Sequence, residues 1–180
     1  MGEVSYEKKR TYRAATANSV VADASADMFF VISGSASRTR EVRKIRVSGD
    51  TLTTLAVGSI VVEKWSTAPT SGTATTLTRV ALDSASPAAA TDGLVQVYTA
   101  APTQGTLVGT IACRRHIWKS STVVDGAPFA VEEFVFGDLP ESQAVFLHGT
   151  AEALSLAFGA APATAITLSV EVEWSEEAGP

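Results

Sequence analysis

The sequence predicts an all-β fold: an antiparallel β-sandwich, jelly-roll-like, preceded by an extended N-terminal arm. Three observations carry that expectation. Ile166, Leu168, Val170, Val172 and Trp174 alternate with Thr167, Ser169, Glu171 and Glu173, the period-two signature of a strand with one buried and one solvated face. Ala, Thr, Ser, Val and Gly dominate, while long helix-favouring side chains are scarce. Short β-branched or aromatic segments recur between turns built on Gly, Pro, Asp and Ser.

Along the chain, Met1–Arg13 is charged and Ala14–Asp27 is small and polar, with little to bury. Residues 1–26 are therefore read as an arm and 27–180 as the sandwich domain. Such an arm is either a loose terminus or a segment that orders on a neighbouring subunit. Met28–Ser33 reads as a strand buried on both faces. Glu41–Val47 reads as a strand with long basic side chains, Arg43, Ile45 and Val47 alternating with Val42, Lys44 and Arg46. Ser59–Trp65, Gly93–Tyr98, Thr106–Trp118, Phe129–Phe136 and Ala144–Leu147 follow as strands, separated by turns such as Ser48-Gly49-Asp50 and Asp125-Gly126. Ala151–Ala161 contains helix formers, but Leu154, Leu156 and Phe158 alternate with Ser155 and Ala157, and Gly159 and Pro162 end the run. It is read as a strand. Eight to ten short strands favour a sandwich or jelly roll over a barrel.

A chain of 180 residues suits one domain and buries roughly 70% of its unfolded surface, so it needs no metal or disulfide staple. The net charge of −5 is not that of a global nucleic-acid binder. Cys113 is the single cysteine, which excludes an intramolecular disulfide and a thiolate metal site. The strongest apolar run, Met28–Ile32, is far too short to span a bilayer. The first ten residues lack the apolar core of a signal peptide. The expectation is a protein made and used in aqueous solution, without membrane or nucleic-acid partners.

No catalytic constellation can be assembled, so the chain is not expected to be an enzyme, to bind a metal or to carry a cofactor. His116 and His148, the only histidines, belong to no His, Cys and carboxylate cluster. Glu132 and Glu133 are adjacent, and neighbours on a strand point to opposite faces. Glu171 and Glu173 share a face at about 7 Å spacing, a separation that glycosidase carboxylates also use, but they occupy the polar side of the clearest amphipathic strand. There is no GxSxG elbow and no phosphate-binding Gly-rich loop. Trp65, Trp118 and Trp174 each end an apolar strand, the place of a core or interface anchor. Were they exposed, they would instead offer sugar-stacking platforms.

Charge is distributed unevenly. Arg38, Arg40, Arg43, Lys44 and Arg46 cluster early, Arg114, Arg115 and His116 form a second basic group, and Glu171, Glu173, Glu176 and Glu177 crowd the end. The plain reading is solvated strand faces that pair with one another. The sharper reading is a complementary seam between subunits, with Arg43, Lys44 and Arg46 meeting a neighbour's Glu171 and Glu173 to set register.

Several stretches resemble small virion structural proteins of tailed bacteriophages. They are Val31-Ile32-Ser33-Gly34-Ser35-Ala36, the basic strand Val42 to Gly49, Ala81-Leu82-Asp83-Ser84 with Pro87, and Val97-Tyr98-Thr99-Ala100 with Gly105 to Gly109. Val145 to Glu152 and Val170 to Glu177 complete the set. The resemblance covers most of the chain from about Ala26 onward and consists of strand-and-turn motifs, so it carries over no functional residue. It implies an accessory particle protein, a capsid decoration (cement) or head-fibre component. Such a protein is assembled in the host cytoplasm, resides in the virion, and forms a homo-oligomer, a trimer by expectation, on the major capsid protein or other virion proteins. A carbohydrate- or receptor-binding β-sandwich module of a phage tail is the alternative.

Overall fold

The computed structural model describes residues 9–21, 28–51, 56–120, 131–138, 143–160, 162 and 164–178. Twelve strands appear in these residues: β1 (Arg10–Val21), β2 (Met28–Ser33), β3 (Arg38–Thr51), β4 (Ala56–Trp65), β5 (Thr73–Thr76), β6 (Arg79–Ala81), β7 (Val95–Ala100), β8 (Leu107–Trp118), β9 (Val131–Val135), β10 (Val145–Leu147), β11 (Ala153–Phe158) and β12 (Ile166–Ala178). They form two antiparallel sheets, the expected sandwich. The first sheet runs β10-β3-β12-β1-β6, with β9 also paired to β3; the second runs β5-β7-β2-β11-β4-β8. No helix among the described residues is long and apolar enough to cross a membrane.

The inner faces meet in one core. Ile166, Leu168, Val170, Val172 and Trp174 of β12 are all buried in it, as their alternation requires. Two bulges let other strands contribute more than period two allows. On β3, Lys44 pairs with Glu173 and Val42 with Trp174, leaving Arg43 as the extra residue. The pleat resets there, so Val42, Ile45 and Val47 all point inward. The simple alternation expected for this strand is thereby corrected. On β2, Leu156 pairs with Phe30 and Ala157 with Met28; Phe29 is extra, and Phe29 and Phe30 both enter the core.

The outer face of the second sheet is covered at its centre. Met28, Val31, Trp65, Tyr98, Ala153 and Ala157 form a second cluster, with Ala68 and Leu94 packed against it. Strand β2 is buried at every position, as expected. Strand β11 is too, because Ala153, Ser155 and Ala157 lie under this cluster. The Trp65 indole N–H donates to Ser155 Oγ at 2.8 Å, which satisfies the polar groups of both.

The N-terminal segment corrects one expectation. Residues 10–21 are not an arm: β1 lies inside the first sheet, paired with β12 along most of its length and with β6 on its other edge. Two inward side chains suffice there. Tyr12 stacks on Trp174 at 5.9 Å between ring centroids, and Ala14 is buried beside it. Residues 1–8 and 22–27, the remainder of the expected arm, lie outside the described residues, as do the Asp125-Gly126 turn and Phe129.

Candidate functional site

The five residues singled out from sequence lie on the outer face of the first sheet or at its bulge, and their partners belong to the same chain. Strand β12 lies directly between β1 and β3, so the acidic end of the sequence sits beside the basic beginning. Arg13 Nη2 meets Glu173 Oε2 at 2.7 Å and Arg13 Nε meets Glu171 Oε1 at 3.4 Å. Arg46 Nη1 stands 3.8 Å from Glu171, and Arg46 Nε bonds Glu133 of β9. Lys44 Nζ is 4.0 Å from Glu133, and Arg43 Nη2 donates to Glu41 Oε1 at 3.0 Å. The hydrogen bond from Arg46 holds the Glu133 carboxyl below its ordinary value. These are half-exposed pairs, weakened by solvent screening. They fix strand register within one chain, which is the plain reading of the charge pattern.

A second charged group was not singled out. Glu176 continues the inward row of β12 one step past Trp174, and its side chain is fully buried. Its Oε1 accepts from Arg40 Nε at 3.1 Å and from the Trp174 indole at 3.0 Å. Its Oε2 accepts from Arg38 Nη1 at 3.0 Å and from the Ala90 N–H at 2.9 Å. Arg40, equally buried, donates to the carbonyls of Ser33, Ala90 and Leu94; its guanidinium lies 5.7 Å from the Trp174 ring centroid. Burial pulls Arg40 below its ordinary pKa although Glu176 stands beside it. Arg79 donates to Ala90 and Gly93 carbonyls. The approach needs Gly93: a Cβ there would strike the Gly34 carbonyl and lie 2.7 Å from Arg40 Nη1. The network ties β3 and β12 of one sheet to Ser33 of the other and to the chain between β6 and β7. With every bond directed at protein, it is a structural clamp.

The histidines take separate places. His116 is buried on β8, its Nδ1 3.1 Å from Glu132 Oε1 and its ring 4.1 Å from that of Trp118. His148 Nδ1 lies 3.3 Å from Thr39 Oγ1, the ring stacked on Phe146. Among the described residues no three His, Cys, Asp or Glu side chains are grouped to hold a metal ion. Trp65, Trp118 and Trp174 are all buried, so none presents a stacking platform. An open cleft of about 570 Å³ runs over the outer face of the second sheet, its lining including Thr70, Asp92, Gln96, Tyr98 and Thr150.

What the surface does offer is one apolar flank. Nine large apolar side chains stand exposed among the described residues: Val57, Val80, Leu82, Leu107, Val108, Ile111, Ile117, Val131 and Val135. Most belong to β8 and β9, the strands at one margin of the two sheets. No protein-family model, curated protein or solved structure matches the chain. Function is therefore read from this surface and from the sequence motifs.

Proposed function

We propose that this protein is a structural accessory protein of a tailed-phage particle, a capsid decoration or head-fibre component of jelly-roll-like build. It acts as a homo-oligomer on the major capsid protein or another virion protein. The observation that carries the reading is the concentration of exposed apolar side chains at one flank of the sandwich. Exposed apolar patches on a soluble domain mark interaction surfaces, and long uncovered edge strands call for a partner. The resemblance of the strand-and-turn motifs to virion proteins supplies the setting. The core, with a second apolar cluster behind the centre of the second sheet, supports a rigid building block, and the intrachain pairing of the charged ladder leaves apolar contacts to supply affinity.

Mass analysis of purified particles tests this directly. The protein is expected in many copies, in stoichiometric ratio to the shell protein, and light scattering of the free protein is expected to give a trimer. Absence from purified particles overturns the reading. One observation favours the second reading, a glycan- or receptor-binding tail module: the open cleft beside Asp92, Gln96 and Tyr98 has the polar lining that a sugar requires. Saturable glycan binding abolished by Gln96→Ala, in protein found on particles in tail and not shell stoichiometry, would select it.

A further inference from the structure

The flank formed by β8 and β9 has more order than apolar exposure alone implies. Leu107, Val108, Ile111 and Ile117 of β8 are exposed, as are Val131 and Val135 of β9; Val57 is the direct cross-strand neighbour of Ile117. Among the described residues β8 pairs only with β4, and β9 only with β3, so each presents an open row of backbone donors and acceptors. The two edges lie at the same margin, since the Arg114 guanidinium sits 5.5 Å from the Phe134 ring centroid and His116 bonds Glu132.

The outward rows of the two strands have the same pattern and opposite charge. On β8, His116 and Trp118 point inward, leaving Cys113, Arg115 and Ile117 facing out. On β9, Phe134 points inward, leaving Val131, Glu133 and Val135 facing out. Each row is a charge flanked by two apolar positions. Arg115 is exposed and makes no ion pair with any described residue. The lengths agree as well: β9 spans Val131–Val135, and the regular half of β8 begins after the irregularity between the Glu63 and Val62 pairings, where Ile111 is extra.

We propose that β8 of one copy adds to β9 of a second copy, antiparallel, with Arg115 opposite Glu133, Ile117 opposite Val131, and Cys113 opposite Val135. The occupant is a second copy because charge selects it. Arg114 and Glu132 already face each other within one chain, and Arg46 and Lys44 flank Glu133. Arg115 is the cation left over among the described residues of the flank, so pairing β8 with β8 sets it against its own copy, whereas β9 presents it with Glu133. Like charges directly opposed across strands are destabilising, and opposite ones stabilising. The contact joins two different strands, so it can repeat from copy to copy, and in the proposed trimer that repeat closes into a ring. The inference rests on the homo-oligomeric part of the proposed function and names the surface that part requires.

Full-length protein decides it in two experiments. In sedimentation equilibrium, Arg115→Glu is expected to weaken association about tenfold or more, while Arg115→Lys, which keeps the charge, is expected to retain most of it, as opposed charge pairs set partner choice. For cross-linking, Val135→Cys is combined with the native Cys113. Directly opposed Cβ atoms lie about 4.5–5.5 Å apart, near enough for a disulfide after small adjustment. Mild oxidation is expected to yield a ladder on a non-reducing gel that ends at the ring size, and Val135→Cys/Cys113→Ser to yield none. Both positions are exposed, so neither change threatens folding. An oligomer of unchanged affinity in Arg115→Glu, with no ladder from Val135→Cys, overturns the proposed contact while leaving the oligomer intact. A strict monomer at high concentration overturns both. A ladder, with association lost in Arg115→Glu and kept in Arg115→Lys, in protein that is absent from particles sustains the contact and removes the virion assignment.

Discussion

The Arg40–Glu176 clamp and the β8–β9 flank invert the usual placement of residues in opposite senses. At the clamp, two charges are withdrawn from water at the end of the core, and each donor and acceptor finds a protein partner. At the flank, isoleucine, leucine and valine side chains stand in solvent beside strand edges that have no pairing partner among the described residues. The comparison teaches that stability and association are handled by different parts of this domain. Removing a clamp residue harms the fold, whereas removing a flank residue leaves the fold intact and changes what it meets.

The largest expected effect belongs to neither region but to the core both depend on. Val170→Asp places an unpaired carboxylate in the sheet interface, costing several kcal/mol, and is expected to unfold the domain. Thr167→Asp, on the other face of the same strand, is expected to stay within about 0.5 kcal/mol. Equal losses in chemical denaturation would refute the register of β12.

The clamp comes next. Arg40→Met leaves the buried Glu176 carboxylate with Arg38 as its remaining ion-pair partner, a change worth up to about 3–5 kcal/mol. Adding Glu176→Leu removes that charge and is expected to restore part of the loss. At about 2–4 °C per kcal/mol for a domain of this size, thermal melts separate the two. No recovery in the double variant would mean that the bonds from Ala90 and Trp174, and not charge balance, carry the clamp.

A smaller effect follows from Glu41. Burial raises its carboxyl, but hydrogen bonds from Lys9 and Ser175, with Arg43 nearby, outweigh it and hold the pKa below the ordinary value. A depressed folded-state pKa stabilises the fold above the unfolded value, about 4.3 for glutamate, and that stabilisation disappears as pH falls through the folded value. Stability is thus expected to hold from neutral pH to about 5 and to drop below about 4. In Glu41→Gln the drop is expected to be shallower; an unchanged acid limb would exclude Glu41 as its source. The smallest effect on stability is at the flank: Ile117→Lys is expected to shift it by no more than about 0.5 kcal/mol while changing the mass in light scattering. A cooperative loss of fold would show that Ile117 belongs to the core.

How much of this was legible in the sequence differs strand by strand. Strand β12 could be read completely because its apolar row is unbroken, and the same row, followed one step further, places Glu176 inside; reading it as a solvated acid stopped the count too early. Strand β3 misled because a single extra residue, Arg43, changes the phase halfway, and a bulge has no signature in one sequence. Strand β1 was missed because Ala14 and the residues around it are too small to register as hydrophobic, although a strand already flanked on both sides needs little more to be held. The candidate interface residues Arg43, Lys44, Arg46, Glu171 and Glu173 lie on half-exposed positions of the first sheet. Their pairing was not legible, because it depends on which strands become neighbours, and periodicity within a strand says nothing of that. The flank was hidden for a related reason: apolar residues on β8 look like core until the sheet order puts that strand at the margin.

The pairing of β1 with β12 has a mechanical consequence. Arg10 stands opposite Glu176 and Val21 opposite Ile166, so the first and last strands run side by side with their outer ends together. Ladder bonds in an antiparallel pair lie perpendicular to the strands. A force that draws Arg10 and Glu176 apart therefore loads those bonds one after another, as in a zipper, while a force along the strand axis loads many at once. The domain is expected to yield easily when tugged by its two ends and to resist shear along its sheets, so the direction from which a neighbour pulls decides how strong it is.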